Sequence, residues 1–138
     1  MSHNKYLYEY QKQAVGTASP LQLVIMLYDG ATKCMIEGRQ AMLEKRIQDQ
    51  NDSLQKAQKI IVELLTSLDM DQGGEIAKNL ASLYKYVFNQ LVEANIEDKV
   101  EKIDVAMKVM TELRSSWAEI EKTTKPAAQA GGDVNAAA

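Results

Sequence analysis

The feature that most constrains this chain is where it lacks helix breakers. Proline occurs only at Pro20 and Pro126, so no position between them loses a backbone donor or has its φ fixed by a ring. The stretch opens with a helix start signal. Ser19 suits an N-cap, because its hydroxyl can accept from the orphan N–H groups of the first turn. Pro20 then falls at the first helical position, where a missing N–H costs nothing. Gln22, three residues after the cap, can reach back to complete a capping box. Leu21, Leu23, Val24, Ile25, Met26 and Leu27 follow and leave almost no polar face for two turns. A surface helix normally shows one apolar stripe. This one either lies in the middle of its fold or shows a second face to something else.

Apolar residues recur at helical spacing in four blocks. Over residues 20–46, Val24, Leu27, Tyr28, Ala31, Met35, Gly38, Ala41 and Met42 give a bundle-facing stripe, and the small residues Ala31, Gly38 and Ala41 let a neighbour approach closely. Leu21, Ile25, Ile36 and Leu43 form a second, thinner stripe. The polar string Gln48-Asp49-Gln50-Asn51-Asp52-Ser53 reads as the first turn or as a frayed helix start. A second helix carries Leu54, Ala57, Ile61, Leu64 and Leu68, with Ile60, Val62 and Leu65 off that seam, and ends before the paired glycines Gly73-Gly74. The third, over residues 75–94, carries Ile76, Leu80, Leu83, Tyr84, Val87, Leu91 and Ala94, with Tyr86 and Phe88 outside the stripe. Asn95 suits the left-handed residue that often ends a helix. Asp98 and Glu101 fit an acidic capping box for the fourth. That helix lines up Val100, Ile103, Ala106, Met107, Met110, Leu113, Trp117 and Ile120, with Val105 and Val109 on another side.

The expected fold is all-α: an antiparallel up-down-up-down four-helix bundle over residues 19–122. An N-terminal arm, residues 1–18, precedes it. A C-terminal tail, residues 123–138, follows, with too little to bury and therefore disordered. In the arm, Tyr6, Tyr8 and Tyr10 alternate like a strand, while one or two helical turns over residues 6–15 are equally open. The arm is read as adaptable, with its apolar side chains against the main body; the alternative is a disordered tail that carries some tyrosines.

Composition removes most other functions. The net charge of −3 has acids and bases interspersed, with no basic patch to hold nucleic acid. The N-terminus carries no apolar signal region, and no apolar run approaches the roughly 20 residues of a membrane span. Cys34 is a single cysteine and can make no internal disulfide. Together these point to a cytoplasmic chain with no membrane insertion. His3 is the one histidine, and it sits in the arm. The Glu-x-x-His pairs of a di-metal bundle are therefore missing. Gly73-Gly74 precedes a helix, but no Lys-Ser or Lys-Thr follows to hold phosphate. The reading is a non-enzyme with no catalytic, metal or cofactor residues. What remains is apolar surface beyond the core seams, at Ile25, Ile36, Ile60, Leu65, Phe88, Val105 and Val109. A groove between helices can take a partner's amphipathic helix. The same side chains could instead close a structural homo-oligomer or pack under the arm.

The chain also resembles a known family, FliS, the export chaperones of flagellin. The similarity lies in Tyr10-Gln11-Lys12-Gln13-Ala14-Val15, Thr17-Ala18-Ser19-Pro20 and Met26-Leu27-Tyr28-Asp29-Gly30. It continues in Lys56-Ala57-Gln58-Lys59-Ile60-Ile61, Gly73-Gly74-Glu75, Leu83-Tyr84, Leu91-Val92-Glu93-Ala94-Asn95-Ile96 and Leu113-Arg114-Ser115-Ser116-Trp117. Gly16 departs from the family, which often has a polar residue there. The resemblance implies a cytoplasmic bundle that binds the disordered C-terminal segment of flagellin, prevents premature polymerisation and keeps it competent for type III secretion. It further implies contact with the export gate and with other flagellar regulators, an arm that competes for the client surface, and no nucleotide. On that basis Tyr10 and Val15 are expected as arm anchors, and Leu21, Ile25, Ile60, Leu65, Val105 and Val109 as groove residues. Tyr28, Tyr84 and Trp117 are expected in the core with their polar atoms partnered there. The free protein is expected to be a monomer or a weak homodimer.

Overall fold

The computed structural model describes residues 19–131, with side chains as far as Thr123. The arm, with Tyr10 and Val15, and residues 132–138 lie outside the described residues. Four helices follow in order: α1 Pro20–Leu43, α2 Ile47–Thr66, α3 Met70–Glu97 and α4 Val100–Gly131. Ser19 caps α1 as its sequence demands. Its hydroxyl accepts from the Gln22 N–H at 3.1 Å, and the Gln22 Oε1 accepts from the Ser19 N–H at 2.9 Å. Each helix packs on two neighbours, and α1 closes the ring against α4, with no helix-to-helix backbone approach across the diagonal among the described residues. With such short connections this is the up-down-up-down bundle. Ion pairs fix its register. Asp29 of α1 meets Arg114 of α4, and Arg39, ten residues further along α1, meets Asp104, ten residues earlier on α4.

The core is built from the expected stripes, with Tyr28, Met35, Leu54, Ile61, Leu64, Tyr84, Leu91, Ile103 and Met110 all buried. The α1–α2 contact is the closest approach. Gly38 faces Leu54 so tightly that an added Cβ would lie 2.7 Å from the Leu54 Cδ2. Ala31 and Ala41 are likewise fully buried.

The structure fixes four boundaries that the sequence left open or placed elsewhere. Of the two readings of Gln48 to Ser53, turn or helix start, the string is the start of α2. The turn comes earlier, where Lys45 takes a left-handed φ of 61°, the Arg46 N–H donates to the Ala41 carbonyl at 2.8 Å and the Lys45 N–H to Met42 at 3.2 Å. That pair of bonds is a Schellman close built without glycine. The string stays helical because its polar groups find partners on α3. Gln50, only 4% exposed, donates through Nε2 to the Asn95 Oδ1 at 3.0 Å and to the Asp98 carboxylate at 2.9 Å. Asn95 in turn donates to Asn51 at 2.9 Å. These bonds satisfy a buried amide that would otherwise be costly.

Asn95 is itself helical. The left-handed residue is Asp98, with φ 55° and ψ 48°, so Asp98 closes α3 rather than opening α4 in the extended conformation an N-cap needs. Finally, α3 starts at Met70, where Asp69 accepts from the Gln72 N–H at 3.0 Å. The glycine break is a kink inside it: Gly74, at φ 53° and ψ −132°, occupies backbone space open to glycine alone. At the other end α4 runs past Lys122 to Gly131, and Trp117 is the last described residue that packs on the core.

The Gly38–Leu54 contact gives a direct test. Gly38→Val should overpack the seam and cost on the order of 1–3 kcal/mol. Leu54→Ala should cost roughly 2–5 kcal/mol. Denaturant titration of the double variant should show less than the summed loss, because the smaller residue at 54 accommodates the larger one at 38.

Candidate functional site

The centre of the bundle holds a polar cluster. The Tyr28 and Tyr84 hydroxyls share a hydrogen bond of 2.6 Å, with either as donor, and the Trp117 indole N–H donates to the Tyr28 oxygen at 3.0 Å. The two phenol rings meet edge to face, with centroids 6.2 Å apart. Both tyrosines are essentially unexposed. Burial pushes both phenols above their ordinary value near 10.0, and the neighbouring Tyr28 raises Tyr84 further. Nothing in this cluster is arranged for chemistry. It joins α1, α3 and α4. Cys34 is also buried, and burial first, then Glu37, raises its thiol, the opposite of what a reactive cysteine needs. Among the described residues no group of His, Cys, Asp and Glu could hold a metal ion. No described helix is long and apolar enough to cross a membrane.

The four seams between neighbouring helices differ in what covers them. The α1–α2 seam is shut by the Gly38 contact. The α1–α4 seam is spanned by two fork-to-fork pairs, Arg39 with Asp104 at 2.7 and 3.2 Å and Arg114 with Asp29 at 2.6 and 3.2 Å. The α2–α3 seam is tied at one end by the amides of Gln50, Asn51 and Asn95.

The α3–α4 seam is tied near its turn, where Lys102 meets Glu93 at 2.6 Å and Glu97 at 3.3 Å. These bonds identify which side of each helix faces the other, and helical spacing extends the assignment. On α3, Leu83 and Ile76 lie at seven-residue intervals below Glu97 and Gln90, and Tyr86 lies seven residues below Glu93. On α4, Val105, Val109 and Ile120 continue the face of Lys102. Of the large exposed hydrophobic side chains among the described residues, Ile76 at 72%, Leu83 at 36%, Tyr86 at 45%, Val105 at 38% and Ile120 at 48% therefore fall along this one seam. Val109 and Leu80 lie half-buried among them. From Val105 to Ile120 the row is about 22 Å long at 1.5 Å per residue. A contiguous apolar surface of that kind marks a place for a partner.

The expected groove residues do not gather on one face. Val105 and Val109 lie on this seam. Leu21 is half-buried and Ile25 is 7% exposed, both on the α4 side of α1. Ile60 is 2% exposed beneath the tight α1–α2 contact, and Leu65 is half-buried against the core. Ile76, Leu83 and Ile120, read from the sequence as core stripe, are the exposed ones. The signal was present: the heptad positions that follow Ile76 and Leu83 are Gln90 and Glu97, so that stripe drifts out of the core.

A bundle of four helices that leaves apolar side chains exposed along α3 and α4 offers a surface for a partner, as helical chaperones do. The comparisons with known proteins agree. The family model for flagellar protein FliS matches residues 2–124. Three similar chains are each named flagellar secretion chaperone FliS. That of Vibrio cholerae is 36% identical over 118 residues, covering 83% of this chain and 87% of the relative. That of Salmonella typhimurium is 34% identical over 110 residues, covering 79% and 82%. That of Bacillus subtilis is 31% identical over 124 residues, covering 89% and 92%. A solved structure described as a flagellar chaperone from bacteria matches the fold, with a TM-score of 0.72 at 19% identity over 87% of this chain and 98% of that one. The chain belongs to the FliS family, whose members are flagellar secretion chaperones rather than enzymes.

The tyrosine pair predicts a pH dependence. In the folded state both phenols are held neutral above their ordinary value. The stability tied to them is therefore fully present below the unfolded value of about 10 and lost as pH rises beyond it. Denaturation midpoints should fall from about pH 9 to about pH 11, and Tyr84→Phe should fall less steeply.

Proposed function

We propose that this chain acts in the cytoplasm, holding the disordered C-terminal segment of flagellin so that it neither polymerises early nor folds out of reach of the export machinery. The observation that carries the reading is the exposed apolar surface of a chain that belongs to a family of secretion chaperones. A disordered client loses roughly 2–5 kcal/mol or more to ordering when it binds. A large apolar surface offsets this and still leaves the complex reversible, as a client bound for export requires. Release at the export gate needs no nucleotide on this reading.

The arm is the second part of the proposal. Tyr10 and Val15 would cover part of the client surface in the free protein, lowering apparent client affinity by the fraction covered. Leu21 and Ile25, where the arm joins α1, would support that exchange.

Titration calorimetry of the full chain with a peptide of the C-terminal segment of flagellin from the same genome should give a 1:1 complex with a negative heat-capacity change. No heat, together with a stable dimer in light scattering, would show instead a structural homo-oligomer. Removing residues 1–15 should raise the fluorescence of a hydrophobic dye and tighten client binding. Unchanged dye signal and affinity would rule out the covering role alone.

A further inference from the structure

We infer that the tyrosine cluster at the middle of the bundle is completed by one internal water molecule, which accepts a hydroxyl hydrogen that the protein's own groups leave without an acceptor. This water belongs to the scaffold and stands whatever client the protein holds.

Tyr28, Tyr84 and Trp117 bring three polar hydrogens together, one on each hydroxyl and one on the indole nitrogen. The bonds between them use two. The Trp117 N–H donates to the Tyr28 oxygen, and one hydroxyl donates to the other. If Tyr28 donates, the hydrogen of Tyr84 is left over; if Tyr84 donates, the hydrogen of Tyr28 is left over. Trp117 also faces Tyr84, but an indole brings a donor and no acceptor. Among the described residues neither hydroxyl has a further hydrogen-bond partner. Every oxygen in the cluster is therefore partnered, and one hydrogen is not.

That hydrogen is deep in the protein, because Tyr28 is 0% and Tyr84 1% exposed. A buried donor without an acceptor forfeits the bond it had in bulk water, and buried polar groups are paired for that reason. Losing the proton would remove the surplus, since a Tyr28 phenolate could accept from both neighbours. Burial opposes this and holds both phenols neutral. An anion as acceptor would carry its charge into the apolar cluster that both tyrosines belong to, at a large desolvation cost. Water carries no charge. It accepts from the phenol, and its own hydrogens can go to the second lone pairs of helix carbonyls. Trp117 is the half-buried member of the three, so the water leaves when α4 shifts at Trp117. Its residence time then reports how often that end of α4 opens.

Oxygen-17 magnetic relaxation dispersion of the full chain counts long-lived internal waters and tests this. The parent should show at least one. Tyr84→Phe should keep it, because the remaining Tyr28 hydroxyl still carries a hydrogen without an acceptor. Tyr28→Phe combined with Tyr84→Phe should lower the amplitude by about one water, with melting curves confirming that each variant folds. Equal amplitudes in the parent and the double variant, or no long-lived water in the parent, would overturn the inference. If the double variant fails to fold, a crystal structure of the parent decides. A water within about 3.0 Å of one tyrosine oxygen supports it, and no density beside either hydroxyl overturns it.

Discussion

A hydrogen bond of 2.6 Å between two tyrosine hydroxyls sits at the middle of the bundle, and the placement of three helices follows from it. A buried hydroxyl left alone costs the desolvation of its polar atom. Tyr28 and Tyr84 each remove that cost for the other, across a diagonal that no helix-to-helix backbone approach spans among the described residues. Trp117 adds its indole N–H to the Tyr28 oxygen. Such a network is satisfied at one rotation of α1, α3 and α4 and broken at others, so it specifies the packing as well as stabilising it. The surrounding Leu, Ile, Val and Met side chains supply the bulk of the burial energy, but apolar contacts alone are non-directional.

Once those rotations are set, the outward faces are set too. The α1–α4 side presents aspartate opposite arginine twice, in opposite senses along the two helices, and closes. The α3–α4 side leaves isoleucine, leucine and valine side chains exposed along its length. Gln50, the buried glutamine among the described residues, tightens the end of the bundle where α3 turns into α4.

Much of this was legible in the sequence. The cap at Ser19, Pro20 and Gln22, the four apolar stripes, the close approach at Gly38, and the core placement of Tyr28, Tyr84 and Trp117 all follow from residue type and spacing. The missed boundaries had local signals that pointed elsewhere. Lys45 forms a glycine-like helix end without glycine. The string from Gln48 to Ser53 looks like a loop until its amides are seen paired with Asn95 and Asp98, residues more than forty positions away. Which secondary stripe faces solvent could not be read from periodicity alone. Ile60 and Ile76 each lie at the edge of an amphipathic pattern. Ile60 is 2% exposed and Ile76 is 72% exposed, a difference that packing between helices decides and periodicity does not.

The proposed client interaction turns on the apolar row that α3 and α4 leave exposed. Methyl NMR of the full chain, titrated with the C-terminal flagellin peptide, tests it most directly. The account predicts large shifts at Ile76, Leu83, Val105, Val109 and Ile120, with Ile36 and Ile47 nearly still. Shifts centred on Ile36 and Leu43, with the α3–α4 methyls unmoved, would contradict it.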